Sequence, residues 1–75
     1  MTAAALQVLK TFRETKQDRL DLHVLFEFAG NDPEVRAAVL DAVEELAAAG
    51  MIQSVGGDFY ALTEIGKRRW AALVG

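Results

Sequence analysis

The pattern of apolar residues changes at Gly50 and restricts the folds open to this sequence. Before Gly50, apolar residues recur every three or four positions, as they do in amphipathic helices. After it, residues 51–55 and 59–62 show a period of two on either side of a Gly-Gly-Asp turn. This pattern predicts a β-hairpin. A chain of 75 residues has room for one core. We therefore expect residues 1–75 to form a single α+β domain.

Three helices are predicted before the hairpin. The first covers about residues 2–12, and the polar stretch 13–19 after it predicts a frayed helix end and a loop. The second covers 21–29, and the third covers 33–49. A last helix from about residue 64 to 74 follows the hairpin. The predicted order is helix, helix, helix, hairpin, helix.

Capping residues support these boundaries. Asp21 and Asp32 are suited to N-cap the second and third helices, and Gly30 is suited to end the second. Only three residues separate these two helices, which predicts a helix-turn-helix unit. Thr63 is suited to cap the last helix.

Two motifs carry a resemblance to a known family. Residues 46–52, LAAAGMI, have a leucine, a glycine four positions later, then an apolar residue and an isoleucine. Residues 60–66, YALTEIG, have the spacing tyrosine-x-leucine-threonine-x-x-glycine. Both resemble the winged-helix pattern, in which the first motif leaves the recognition helix and the second leaves the wing. The chain is most similar to small bacterial winged-helix regulators.

The resemblance implies a DNA-binding transcriptional regulator in the cytoplasm. The helix at 33–49 would be the recognition helix, packed in a three-helix core, with the hairpin as a short wing. Arg36 would contact the major groove, while Lys67, Arg68 and Arg69 would contact backbone phosphates. Many members of the family dimerise through their terminal helices. Our candidates for such a homodimer surface are apolar: Val24, Phe28, Trp70, Leu73 and Val74.

The charge distribution favours a different function. Residues 32–50 contain five acids and a single base, and the wing contains no base. Such surfaces repel the phosphates of DNA. On the same helix, Leu40 lies between acids with Ala37 nearby. Either the second helix or the polar loop partly covers Leu40, or Leu40 is the apolar centre of a protein interface with a charged rim. The alternative is therefore a protein–protein interaction module that does not bind DNA. Its candidate contact residues are Ala37, Leu40, Asp41, Glu44 and Trp70.

Seven basic residues lie outside the third helix. They are Lys10, Arg13, Lys16 and Arg19 near the end of the first helix, and Lys67, Arg68 and Arg69 on the last. If these two helices pack side by side, the seven form one basic patch that binds phosphate. The simpler interpretation is two solvated faces, with the first group complementing the helix dipole.

Other classes of function find no support. The sequence has no cysteine, and its one histidine, His23, is spaced to pair with Glu27 on a helix surface. We find no nucleophile–base pair and no phosphate-binding glycine loop, so we expect neither an enzyme, nor a cofactor, nor a metal site. No apolar run is long enough to span a membrane, and the first residues do not have the pattern of a signal peptide.

Overall fold

A computed structural model describes residues 2–74, with the side chains of residues 2–72. Over this range the chain forms four helices and one three-stranded antiparallel sheet. The helices are α1 (Ala3–Thr15), α2 (Leu22–Ala29), α3 (Pro33–Ala48) and α4 (Glu64–Val74). The strands are β1 (Arg19–Asp21), β2 (Ile52–Gly56) and β3 (Phe59–Leu62). The predicted α+β class and the order helix, helix, helix, hairpin, helix are confirmed.

Side-chain caps begin the first three helices, and those of the second and third are the predicted Asp21 and Asp32. Thr2 accepts a hydrogen bond from the Ala5 N–H at 3.1 Å, and Asp21 accepts one from the Val24 N–H at 2.9 Å. The Asp32 carboxylate accepts a hydrogen bond from the Glu34 N–H at 3.2 Å. Each cap satisfies an N–H group that the helix itself leaves without an acceptor.

The core lies where α1, α2 and α3 meet the sheet. Phe12, Leu9, Leu25, Leu46 and Ile52 are its largest apolar side chains, and all are fully buried. Two further side chains on one face of β3, from Tyr60 and Leu62, pack against this cluster, as the period-two pattern predicts. The first three helices thus bury one side each mainly against one another, α2 and α3 also pack on the sheet, and the outer faces of the helices point away from this core.

The prediction of a frayed helix end and a loop at 13–19 is wrong in part. Helix α1 continues to Thr15 and ends at Lys16, which adopts a left-handed conformation with φ 56°. The chain then enters β1, which pairs with β3 and completes the sheet in the order β1-β3-β2. Leu20, only 3% exposed, anchors this short strand opposite Tyr60.

A compact junction joins α4 to the turn between α3 and β2. The Thr63 hydroxyl donates to the Gly50 carbonyl and accepts from the Gly66 N–H at 3.1 Å. The Thr63 N–H donates to the Met51 carbonyl at 3.0 Å. A Cβ atom at Gly66 would lie 2.0 Å from that same Met51 oxygen. Glycine is therefore required at this position of the helix by close approach of two backbones.

The first turn of α4 carries an apolar side chain that stays in water: Ile65 is 53% exposed. The junction explains this exposure, because it turns the buried side of the helix towards Gly66. One turn after Gly66, the half-buried Trp70 packs against the core.

We predict that Gly66→Ala destabilises the domain by about 3 kcal/mol or more, because the new methyl group overlaps a backbone carbonyl that cannot move without shifting β2. Urea denaturation followed by circular dichroism measures this change. Gly57→Ala is the matched control. Gly57 has a positive φ of 54° but open space around it, so its cost is backbone strain of about 1 kcal/mol. Equal costs for the two variants would contradict the proposed close approach.

Candidate functional surfaces

The outer face of α3 is acidic with an apolar centre. Ala37, Leu40, Asp41 and Glu44 follow one another at helical spacing, and all are exposed. We call these four residues the acidic face. Leu40 is 44% exposed and is the one large apolar side chain of this face. Neither acid of this face forms an ion pair with another described residue. The face therefore presents unneutralised charge around an accessible leucine.

The single base of α3 is held against its own domain. The Nε of Arg36 donates to the Asn31 side-chain oxygen at 3.1 Å. Its guanidinium carbon lies 5.2 Å from the centre of the Phe26 ring, within the range of a cation–π contact. These contacts anchor Arg36 to the turn between α2 and α3. Arg36 could reach a binding partner only by giving up at least part of these contacts.

The hairpin tip offers little for DNA. It has exposed apolar side chains at Val55 and Phe59, and the turn between the strands carries Asp58. The two strands and their turn contain no basic residue. A phosphate backbone would thus meet one acid and no cation at this loop.

Basic residues from α1 and α4 meet across a groove. Its floor is apolar and consists of Phe12, Leu62 and Trp70. Its rim carries three cations, Arg13, Lys16 and Lys67, together with Gln17 and Asp18. The groove encloses about 630 Å³, a volume typical of binding clefts. We call it the α1–α4 groove.

Two contacts hold the rim of the groove in place. The Nζ of Lys67 lies 3.5 Å from a carboxylate oxygen of Asp18, which ties α4 to the segment after α1. The Arg13 guanidinium carbon lies 5.9 Å from the centre of the Trp70 ring. The ion pair is exposed and weak in energy, but it neutralises the acid of the rim. The remaining charge of the groove is positive.

The structure separates the seven basic residues into three that line the groove and four that do not. Packing of α1 beside α4 brings together Arg13, Lys16 and Lys67, but the other four do not line the groove. Those four are exposed: Lys10, Arg19, Arg68 and Arg69. The predicted phosphate contacts on α4 are therefore spread over its surface, with Lys67 alone facing the groove.

The candidate dimer residues also fall in different places. Trp70 is half-buried, and its indole N–H is buried without an acceptor among the described residues. Phe28 is 49% exposed and lines a second cavity of about 370 Å³ among α1, α2 and α3. Val24 is half-buried against the core. The side chains of Leu73 and Val74 lie outside the described part of the chain. Phe28 and Trp70 thus line separate depressions.

Some residues of the groove were not identifiable from the sequence. Asp18 lies in a polar stretch with no pattern of its own, and its pairing with Lys67 depends on how α4 folds back. Phe12 is fully buried directly beneath the groove, and the half-buried Leu62 beside it belongs both to the core and to the groove floor. The predicted pair of His23 and Glu27 is present at 3.0 Å.

Residues 2–74 show neither a helix long and apolar enough to cross a membrane nor a cluster of three side chains that could hold a metal ion. Comparisons with models of protein families, with curated proteins and with solved structures find no match for this chain.

The exposure of the acidic face gives a stability prediction. Leu40→Asp should change the free energy of unfolding by no more than about 1 kcal/mol, because the side chain is already in contact with water. The neighbouring Val39 is 3% exposed, so Val39→Asp buries a charge and should cost about 3 kcal/mol or more. Thermal or urea unfolding of the two variants checks this. If Leu40→Asp were as damaging as Val39→Asp, Leu40 would belong to the core.

Proposed function

We propose that this chain is a winged-helix domain that binds another protein through the acidic face of α3. The observation that carries the proposal is the exposed Leu40 beside two unpaired acids, on a helix whose only base is held by Asn31 and Phe26. An apolar centre with a charged rim is typical of protein interfaces.

The winged-helix identity is supported by the order of the elements and by local geometry. The short turn between α2 and α3 fits a helix-turn-helix unit. The hairpin follows α3 directly, in the position of a wing. Thr63 and Gly66 of the second motif make the contacts that join α4 to the turn after α3. The quoted motif residues thus have a structural role in this chain.

Electrostatics separates protein binding from DNA binding. A recognition helix is surrounded by phosphates at about one charge per 1.7 Å of duplex. The exposed side of α3 carries Asp41 and Glu44, and the wing carries Asp58. Insertion into a groove would bring these carboxylates close to the phosphates, and the only cation of α3 to offset them is Arg36, which is held by Asn31 and Phe26. A protein surface with arginine or lysine around an apolar pocket meets the same face favourably.

DNA-binding transcriptional regulation is the second candidate. The observation in its favour is the group of exposed bases Lys67, Arg68 and Arg69 on α4. These side chains provide phosphate contacts, and the N-terminus of α3 provides a helix dipole. Binding of this kind would be weak and independent of sequence, with Arg36 as the single candidate for a base contact.

A titration of random duplex DNA decides between the two candidates. We predict no binding at micromolar protein in about 50 mM salt, because α3 and the wing repel phosphates. Fluorescence anisotropy of labelled duplex provides the readout. Micromolar affinity that falls steeply with salt would contradict the proposal. A further loss of about tenfold in Arg36→Ala would then show that α3 contacts the DNA.

Photo-crosslinking provides the positive test. A photoreactive amino acid replaces Leu40 in the host cell, and in a matched control it replaces the exposed Lys10 on α1. We predict a discrete protein adduct from position 40 and none from position 10. Mass spectrometry then tells whether the adduct contains this chain or another protein. The absence of any protein adduct at position 40, with DNA bound in the titration, would reject the protein-binding function.

A further inference from the structure

We infer that the α1–α4 groove is the docking site for the acidic face of a second copy of this chain. The inference rests on the proposed function, because it names the partner of that face. Two surfaces of one chain carry matched chemistry: an exposed leucine between acids on α3, and an apolar floor between cations on α1 and α4.

The apolar parts of the two surfaces match in character. Phe12, Leu62 and Trp70 form the floor of the groove; Phe12 is fully buried, so the accessible apolar surface comes from the half-buried Leu62 and Trp70. Leu40 projects from a helix whose neighbouring exposed positions include the small Ala37. A small side chain beside the leucine lets the helix backbone approach the groove closely. Burying the exposed part of Leu40 against this floor removes apolar surface from water on both copies.

The charged parts of the two surfaces also match. In the groove, Asp18 is paired with Lys67 at 3.5 Å, which leaves Arg13 and Lys16 to attract an anion. On α3, Asp41 and Glu44 form no ion pair with a described residue. Opposite charges around a shared apolar centre fix orientation and raise the rate of encounter. Bare phosphate would satisfy the cations but would leave the apolar floor in water.

The two surfaces do not overlap. The groove is lined by α1, the segment after it, β3 and α4, and no residue of α3 contributes to it. One copy therefore offers its face and its groove at the same time. Such a contact is heterologous, and repetition gives head-to-tail chains or a closed ring.

The interaction is expected to be weak. The described chain exposes only 4612 Å² in total, and a groove of this size covers less than a standard interface of about 800 Å² per partner. Each copy also carries a net charge of −3, which opposes association at long range. We expect a dissociation constant of roughly 100 µM in low salt, weakening as salt screens the ion pairs.

Analytical ultracentrifugation of the purified full chain tests the inference. The weight-average mass should rise from that of a monomer as concentration approaches about 1 mM in low salt. Glu44→Arg blocks the face and Arg13→Glu blocks the groove, and each variant should associate at least about tenfold more weakly. Arg69→Glu is the matched control, because Arg69 is exposed on α4 outside the groove. It should associate as the unaltered chain does.

Mixing the two blocked variants gives the sharpest outcome. The first has an intact groove and the second an intact face, so an equal mixture should form 1:1 dimers that cannot grow longer. Lys16→Glu repeats the groove test at a second position if Arg13→Glu does not fold, as judged by circular dichroism. A chain that stays monomeric at millimolar concentration overturns the inference. So does association that survives both groove variants, or a mixture that forms no dimer.

Failure of this inference differs from failure of the proposed function. If the chain is monomeric but position 40 still crosslinks to a different protein, the acidic face is a docking surface. Only the second copy is then excluded as its partner. Self-association through other residues, with no protein adduct at position 40, removes both.

Discussion

The contact between Gly66 and the Met51 carbonyl determines how the parts of this domain are arranged. The missing side chain at Gly66 lets α4 approach the backbone that leaves α3, and Thr63 bonds across the same point. This approach sets the direction of α4, which places Trp70 beside Arg13 and opens the α1–α4 groove. The groove is therefore a consequence of the junction.

The same junction leaves the outer side of α3 uncovered. The packing of α3 uses the side that carries Val39, Val43 and Leu46, all of them buried. Because α4 is held at the end of α3, the outer side of α3 remains uncovered along most of the length of that helix. That side carries the exposed Leu40 and two acids that pair with no described residue, which is the surface on which the proposed function rests.

Acidic and basic residues of this domain lie in separate regions, and the net charge of −3 does not show this separation. Helix α3 carries four acids and one base, whereas six of the eight bases lie at the end of α1 and on α4. Because these regions lie on different elements, the molecule has two surfaces of opposite sign. Such a distribution favours oriented contact between proteins over general attraction to a polyanion.

Local signals were sufficient to predict much of the fold. The caps at Asp21 and Asp32, the stop at Gly30 and the period-two pattern after Gly50 act within a few residues, and the structure has each of them. The exposed side of α3 was predictable for the same reason, because helical periodicity alone separates Leu40 from Val39.

Features that depend on distant parts of the chain were not predictable from these signals. Strand β1 has three residues and forms only because β3 lies next to it, so its own sequence shows no period. The groove needs α4 to lie beside α1, and its rim pairs Asp18 with Lys67 across most of the chain. The exposure of Ile65 follows from the close approach at Gly66, which a helical pattern does not encode.

Chemical-shift mapping by NMR tests the central claim, that the outer side of α3 is a protein-docking surface, most directly. Dilute ¹⁵N-labelled chain is recorded alone, with excess unlabelled chain, and with duplex DNA. Unlabelled chain should shift the amides of the acidic face, centred on Leu40, together with the indole N–H of Trp70. DNA should leave α3 unchanged. Shifts along α3 on adding DNA, with none on adding the chain, would instead make α3 a DNA-binding surface.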